Sequence, residues 1–339
     1  MPRAATITGL GKYLPSRVVS NKEVAASAGV DEDWIEVRTG IRERRMALPS
    51  ESSASLGVIA AAEALASSPI EAADLDLIIA ATCTPDHVFP STASLIQAEV
   101  GANAAGAFDL NAACSGFVYA LALASAHINA GLANNVMVVG TEVLSRITNP
   151  TDPVTAPLFG DGAGAAVLQA GAASPISFVL GSDGKGADHL IVPAGGSRLP
   201  ASASTLDRGQ HFIRMSGREV YRSAVRTMTM LGQELDAAGC DLLIGHQANS
   251  RILEECATQL GLPADKVFMN IDHCGNTSSA SIPIAMHEAW TAGRLREGNK
   301  LVLVAFGAGY SWAGASLTWT MQDSQQPAIE SLDLAGVSS

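Results

Sequence analysis

A chain of 339 residues that is 47% hydrophobic and only 16% charged carries enough apolar mass for a large core, which excludes a disordered or fibrous protein. Its 33 acidic against 21 basic side chains leave a net charge of −12, the wrong sign for a protein that holds nucleic acid by its phosphates. Five cysteines without a C-x-x-C pair point to reduced thiols in a cytoplasmic protein rather than a disulfide frame or a zinc ribbon; no apolar run nears the roughly 20 residues of a membrane helix, and the first residues lack a signal peptide's apolar stretch.

In chain order, the first buried strand is expected at residues 75–81 and a second at 107–111. A tight turn, Ala112-Ala113-Cys114-Ser115-Gly116, then leads into a helix over 117–130 that Gly131 ends. Apolar runs at 136–140 and 163–168 read as further strands, and the small residues 170–174 form a seam. Residues 193–211, rich in Gly, Ser and Ala with two prolines, read as a surface excursion. Strands follow at 242–245, 301–306 and 313–319.

The later strands echo the earlier ones. Asp76-Leu77-Ile78-Ile79 resembles Asp241-Leu242-Leu243-Ile244, and Val136-Met137-Val138-Val139 resembles Leu301-Val302-Leu303-Val304 at the same spacing. Ala163-Gly164-Ala165-Ala166 and Ala313-Gly314-Ala315-Ser316 form a third pair at a shorter spacing. The repeat far exceeds the ~20–50 residues of a solenoid unit. It predicts an α/β protein of two similar halves, residues 1–171 and 172–339.

Chemistry concentrates at three places. Cys114 falls at the start of the expected helix, where unpaired amides and the macrodipole favour a thiolate; the same context suits a small buried cysteine. His246, in His246-Gln247-Ala248-Asn249, directly follows a buried strand, a good place for a base or oxyanion partner. Asn276 lies in the turn Asp272-His273-Cys274-Gly275-Asn276-Thr277-Ser278-Ser279, which also suits a helix cap. Gly160-Asp161-Gly162-Ala163-Gly164-Ala165 precedes a strand instead of opening a helix, so it is no dinucleotide fingerprint. His273 and Cys274 lack partners at zinc-site spacing, and no metal is expected.

Taken together, these segments resemble the β-ketoacyl-acyl carrier protein synthase III family of thiolase-fold condensing enzymes. The resemblance rests on Trp34-Ile35 with Arg38-Thr39-Gly40-Ile41, Phe89-Pro90-Ser91, the Cys114 turn, Phe159-Gly160-Asp161-Gly162-Ala163-Gly164-Ala165, His246-Gln247-Ala248-Asn249, Gly275-Asn276-Thr277-Ser278 and Phe306-Gly307-Ala308-Gly309, in that order. It implies a thiolase-like fold, two duplicated α/β halves packed as a layered αβαβα sandwich. It makes Cys114 the acyl-accepting nucleophile and gives His246 and Asn276 the thioester oxygen of a malonyl extender. The amides of Cys114 and Ala308 would form a second oxyanion hole. Trp34, Arg38 and Asn249 would bind coenzyme A, and Phe89, reaching across a homodimer interface, would shape the primer pocket.

The activity so implied is decarboxylative condensation of an acyl group, delivered as acyl-CoA or acyl-acyl carrier protein, with malonyl-acyl carrier protein. No cofactor is implied beyond the coenzyme A thioester as substrate. Arg38, Arg42, Arg44 and Arg45 offer phosphate contacts. Arg218, Arg222 and Arg226, four apart on one helix face, with Arg251 suggest a patch for an acidic carrier protein. Pro153 stands where acetyl-primed members place an adenine-gripping Arg, Gly245 replaces a common proline, and the segment before His246 is shorter. A tailoring acyltransferase with His246 as general base, and a non-catalytic synthase subunit, are the competing readings.

Overall fold

The structure, a computed structural model, describes residues 3–322; Met1, Pro2 and residues 323–339, the outer ends of the two expected halves, lie outside the described residues. The first part of the chain forms β1 (Ala4–Tyr13), β2 (Arg17–Ser20), α1 (Asn21–Ala28), α2 (Glu32–Thr39), β3 (Glu43–Met46), α3 (Ser53–Ala66), β4 (Leu77–Ala81), α4 (Thr92–Glu99), β5 (Gly106–Leu110), α5 (Gly116–Asn129), β6 (Asn135–Glu142) and β7 (Gly162–Gly171). The second part forms β8 (Ser177–Ser182), β9 (Leu190–Ile191), α6 (Ala203–Asp207), β10 (Arg214–Met215), α7 (Gly217–Glu234), β11 (Leu242–Gly245), α8 (Ser250–Leu260), β12 (Val267–Phe268), α9 (Ile271–Cys274), α10 (Ser281–Thr291), β13 (Lys300–Gly307) and β14 (Ser311–Thr318).

Two five-stranded sheets carry the fold, and they share one strand order. The first runs β1-β7-β6-β4-β5; the second, read the same way, runs β8-β14-β13-β11-β12. The three sequence echoes are therefore β4 with β11, β6 with β13 and β7 with β14. Strands β4 and β6 pair in parallel, as do β11 and β13. Buried on both faces, such strands read as continuous apolar runs, which is why Leu77-Ile78-Ile79-Ala80-Ala81 and Leu242-Leu243-Ile244-Gly245 stand out in the sequence. Strand β4 begins two residues later than expected; just before it the Asp76 backbone still bonds to Asn135 and Gly106, and the Asp76 carboxylate accepts the amides of Asn134 and Asn135 at 2.6 and 3.0 Å.

Helices α5 and α10 lie between the sheets. Phe117, Leu121 and Ile128 of α5 and Met286 and Trp290 of α10 share one core with Ile79 and Val138 of the first sheet and Leu301 and Leu303 of the second. Helices α3 and α4 cover the outer face of the first sheet, and α7 and α8 that of the second. This is the layered αβαβα sandwich of the thiolase fold. The amphipathic pattern of α7 places Ala224, Met228 and Leu231 on the sheet and Arg218, Arg222 and Arg226 in solvent. Residues 193–211 hold only the short α6, the remainder being turns and irregular backbone.

The layering sets the site. Cys114 lies between β5 and α5, and Asn276 between β12 and α10, so equivalent loops of the two sheets meet, with His246 at the carboxyl end of β11.

Candidate active site

A cavity of about 210 Å³ is lined by Cys114, His246 and Asn276 together with Phe306 and Gly307. Trp34, Arg38 and Asn249 stand on the same cavity, and its wall includes Phe159, Met215, Val220 and Met228. Residues remote in sequence thus share one solvent-connected space.

Cys114 occupies a 3₁₀ turn, Ala113–Ser115, that runs into α5. The preceding Ala113 has φ +46°, a left-handed conformation that costs a residue bearing a Cβ. Position at a helix start does not make the resting group a thiolate, contrary to the expectation above. Burial pushes the Cys114 thiol up to about 12; a hydrogen bond with Ser278 opposes this and the Glu142 charge adds to it.

His246 is neutral for a related reason. The ring is 2% exposed, and burial lowers its pKa from the ordinary 6.5 to about 3. Its Nδ1 lies 2.7 Å from Ser281 Oγ, the first residue of α10. That oxygen also accepts the Gln247 amide at 3.4 Å; with the hydroxyl proton given to Nδ1, the neutral ring carries its hydrogen on Nε2. Asn276 is fixed comparably. Its Oδ1 accepts the Ser278 amide at 2.9 Å, leaving Nδ2 as the free donor, while its backbone is held by Leu158 and Gly160. The two side chains present neutral donors, as an enolate oxygen requires.

The buried histidine has a measurable signature. Between pH 6.5 and 3 the native state binds fewer protons at His246 than the unfolded chain, so stability falls as pH falls through this window. His246→Gln is expected to remove up to about 1.4 kcal/mol per pH unit of this slope. Urea midpoints of both proteins from pH 7 to 4 would check it; parallel curves would show that the ring is not buried neutral.

Behind these groups lies a carboxylate that sequence reading missed. Glu142, fully buried at the end of β6, accepts from Thr84 Oγ1 and Ser279 Oγ, each at 2.8 Å, and from the Cys83 amide at 3.1 Å. Burial raises its pKa and these bonds oppose the rise. Glu142 fastens β6 to the turn that follows Asn276. Ser281 and Ser278 were equally hidden, since a Ser-rich turn carries no sign of which hydroxyl meets which ring or thiol.

Other expectations divide. Gly307 packs against the Cys114 turn so closely that a Cβ there would stand 2.6 Å from the Cys114 nitrogen. Ala308 comes next, its carbonyl accepting from Ser311 Oγ at 3.0 Å; Gly307, and not Ala308, lines the cavity. Phe89 is 83% exposed and does not line the cavity of its own chain. The Asn249 amide is engaged structurally, accepting from the Arg251 amide as the cap of α8 and donating to the Arg38 carbonyl, each at 2.9 Å. Gly245 fits where a Cβ would collide with Leu253 and Met228.

The expected phosphate cluster is corrected. Arg44 is fully buried and donates to Val19 O, Asn21 Oδ1 and Pro157 O. Arg42 pairs with Glu36 at 2.9 Å, and Arg45 turns toward Pro15 O and Glu43. Only Arg38 of the four reaches the cavity. Once residues 43–46 form β3, alternate side chains must point inward, and Arg44 is one of them. Arg218, Arg222, Arg226 and Arg251 are all exposed. The surroundings of Arg251 are mixed, because Asp33, Glu36, Glu254 and Asp272 line the same surface groove.

Like-ordered sheets meeting over a buried cysteine and two neutral donors define the class of thiolase-fold acyltransferases. Within it, residues 108–184 match the family model for 3-oxoacyl-[acyl-carrier-protein] synthase III, and residues 232–319 match the model for its C-terminal part. A β-ketoacyl-[acyl-carrier-protein] synthase III of Symbiobacterium thermophilum is 47% identical over 325 residues, 94% of this chain and 98% of that protein. The crystal structure of 3-oxoacyl-(acyl carrier protein) synthase III from Pseudomonas aeruginosa superposes with a TM-score of 0.86 at 41% identity, covering 94% of this chain and 99% of the other. A priming β-ketosynthase from the R1128 polyketide biosynthetic pathway gives 0.85 at 35% identity, covering 94% and 97%. The chain belongs to the β-ketoacyl-acyl carrier protein synthase III family.

Proposed function

We propose that this protein starts acyl chains by condensing a Cys114-bound acyl group with malonyl-acyl carrier protein. The observation that carries this reading is the meeting of the Cys114 thiol, neutral His246 and the Asn276 amide on one cavity. In the first step the Cys114 sulfur forms a bond to the acyl carbonyl of an acyl-CoA or acyl-carrier thioester, and the thiol proton leaves with the departing thiol. In the second, the malonyl carboxylate is lost as CO2 and the electron pair passes to the thioester oxygen. Two neutral donors there lower the barrier. The enolate carbon attacks the acyl-Cys114 carbonyl, the C–S bond breaks, and the departing Cys114 sulfur takes a proton from solvent. The steps balance with the two thioesters, the cysteine and that one solvent proton, so coenzyme A enters as part of a substrate and no cofactor is required.

The backbone amides of Cys114 and Ala308 serve the second oxyanion in this reading, which the approach of Gly307 to the Cys114 nitrogen supports. Trp34, 42% exposed, Arg38 and Asn249 would receive coenzyme A at the mouth. Exposed Arg218, Arg222, Arg226 and Arg251 would meet the acidic carrier protein, whose chain could initiate fatty-acid or polyketide synthesis. A homodimer is supported by β5, an edge strand with part-exposed Phe108, and by solvent-facing Val88 and Phe89, which would close the partner's primer pocket. The halves 1–171 and 172–339 would then divide the labour, one giving the sulfur and the other the donors. Among the described residues no helix is long and apolar enough to cross a membrane.

The acyltransferase alternative asks His246 to be a general base, and a ring whose pKa is lowered to about 3 is poorly suited to that. The test is intact-protein mass after incubation with a panel of acyl thioesters, then malonyl-acyl carrier protein. The expected result is one acyl mass on the wild type, none on Cys114→Ala, and discharge as a β-ketoacyl product with CO2. An acyl mass that malonyl-acyl carrier protein never discharges would overturn condensation.

A further inference from the structure

The fold brings Glu288 of α10 to His273 and Cys274 of α9, two residues that have no partner at metal-site spacing along the chain. One donor atom from each, an imidazole nitrogen, the thiol sulfur and a carboxylate oxygen, lie within 4.8 Å of one another. The arrangement has the outer contacts of a metal site. His273 Nδ1 lies 3.0 Å from Asp272 Oδ1, so its N–H donates there and Nε2 faces Glu288 Oε2 at 3.1 Å. A carboxylate on the far nitrogen is what orients a metal-binding imidazole. Glu288 is itself held, with Oε1 on Lys12 Nζ at 2.5 Å and Oε2 accepting from Asn270 Nδ2 at 2.8 Å.

Access and softness select the ion. The His273 side chain is 40% exposed and opens the cluster to solvent, whereas Cys274 is 2% exposed and supplies sulfur from the protein side. One sulfur, one imidazole nitrogen and one carboxylate oxygen with a side open to water suit zinc and not magnesium or calcium, which take oxygen ligands. The charges also match: the ion's two with that of Lys12 equal those of Asp272, Glu288 and a Cys274 thiolate.

We propose that His273, Cys274 and Glu288 bind a zinc ion that ties α9 to α10. The ion replaces the proton bridging Nε2 and Glu288 and the proton of the thiol, both released to solvent, with water completing the coordination. The site is separate from the proposed acyl cavity. It nevertheless joins the two elements that lead into Asn276 and carry Ser281, the partner of His246.

The experiment is titration of the full-length protein with Co2+, watching for thiolate-to-cobalt charge-transfer absorption, followed by Zn2+ displacement. The expected result is a band saturating at one equivalent, bleached by Zn2+, retained in Cys114→Ala and lost in Cys274→Ser. His273→Ala, a change at a side chain 40% exposed whose partner Glu288 keeps Lys12 and Asn270, should weaken Co2+ binding at least tenfold, and it decides the matter alone if Cys274→Ser does not fold. Absence of the band in the wild type, or its persistence in Cys274→Ser or at undiminished affinity in His273→Ala, would overturn the proposal.

Discussion

Asn276→Ala and His246→Ala should each accept an acyl group on Cys114 yet release CO2 from malonyl-acyl carrier protein about 10²–10³-fold more slowly, the usual cost of one oxyanion donor. The reason is geometric. Asn276 Oδ1 is already bound to the Ser278 amide and His246 Nδ1 to the Ser281 hydroxyl, so what each change removes from the cavity is the free N–H. Asn276→Asp replaces that donor with a charged acceptor and should be slower than Asn276→Ala. Pre-acylated enzyme mixed with malonyl-acyl carrier protein, with CO2 and mass followed together, separates the two steps. Equal loss of loading and decarboxylation would sink the assignment of these side chains to the malonyl oxygen.

The second large effect is expected at a residue with no side chain. Gly307→Ala should slow the acyl-loading burst about 10²-fold and destabilise the fold by about 1–3 kcal/mol, the range for overpacking. The new methyl would stand 2.6 Å from the Cys114 nitrogen and 3.2 Å from its Cβ, distances at which the Cys114 turn must yield. That turn is stiff: Ser115 Oγ lies 2.7 Å from Ser311 Oγ, which stands 2.8 Å from the Ala112 carbonyl and 3.0 Å from that of Ala308. Strain therefore falls on the amide that would hold the oxyanion. A burst rate equal to wild type, measured by rapid quench beside a thermal melt, would show that the amide does not serve the acyl carbonyl.

Much of this architecture was legible because buried parallel strands leave unbroken apolar runs. Leu242–Gly245 was read to the residue for that reason, and the helix after Cys114 shifted by only one position at each end. Strand β1, Ala4–Tyr13, was not seen, since Gly9 and Gly11 interrupt its apolar pattern where the backbone of α3 comes close. Cys114, His246 and Asn276 were legible as chemical types at strand ends and turns. Arg44 was not: it reads as one of four exposed cations, and only its place on β3 shows that it points inward. The set of His273, Cys274 and Glu288 was invisible for the plainer reason that it is a contact between two helices, set by packing and not by spacing.

The middle layer has a mechanical meaning. Helices α5 and α10 lie between the two sheets in the central core, and they contribute Ala120, Ala124, Ala285 and Ala289 to it, all with no exposed surface. Interiors packed this densely do not absorb added volume locally. The layer works as a shim whose thickness fixes how far the loop bearing the sulfur stands from the loop bearing the amide. Enlarging one of those alanines would open the gauge by displacing a whole sheet, detuning a reaction whose groups had not themselves been touched.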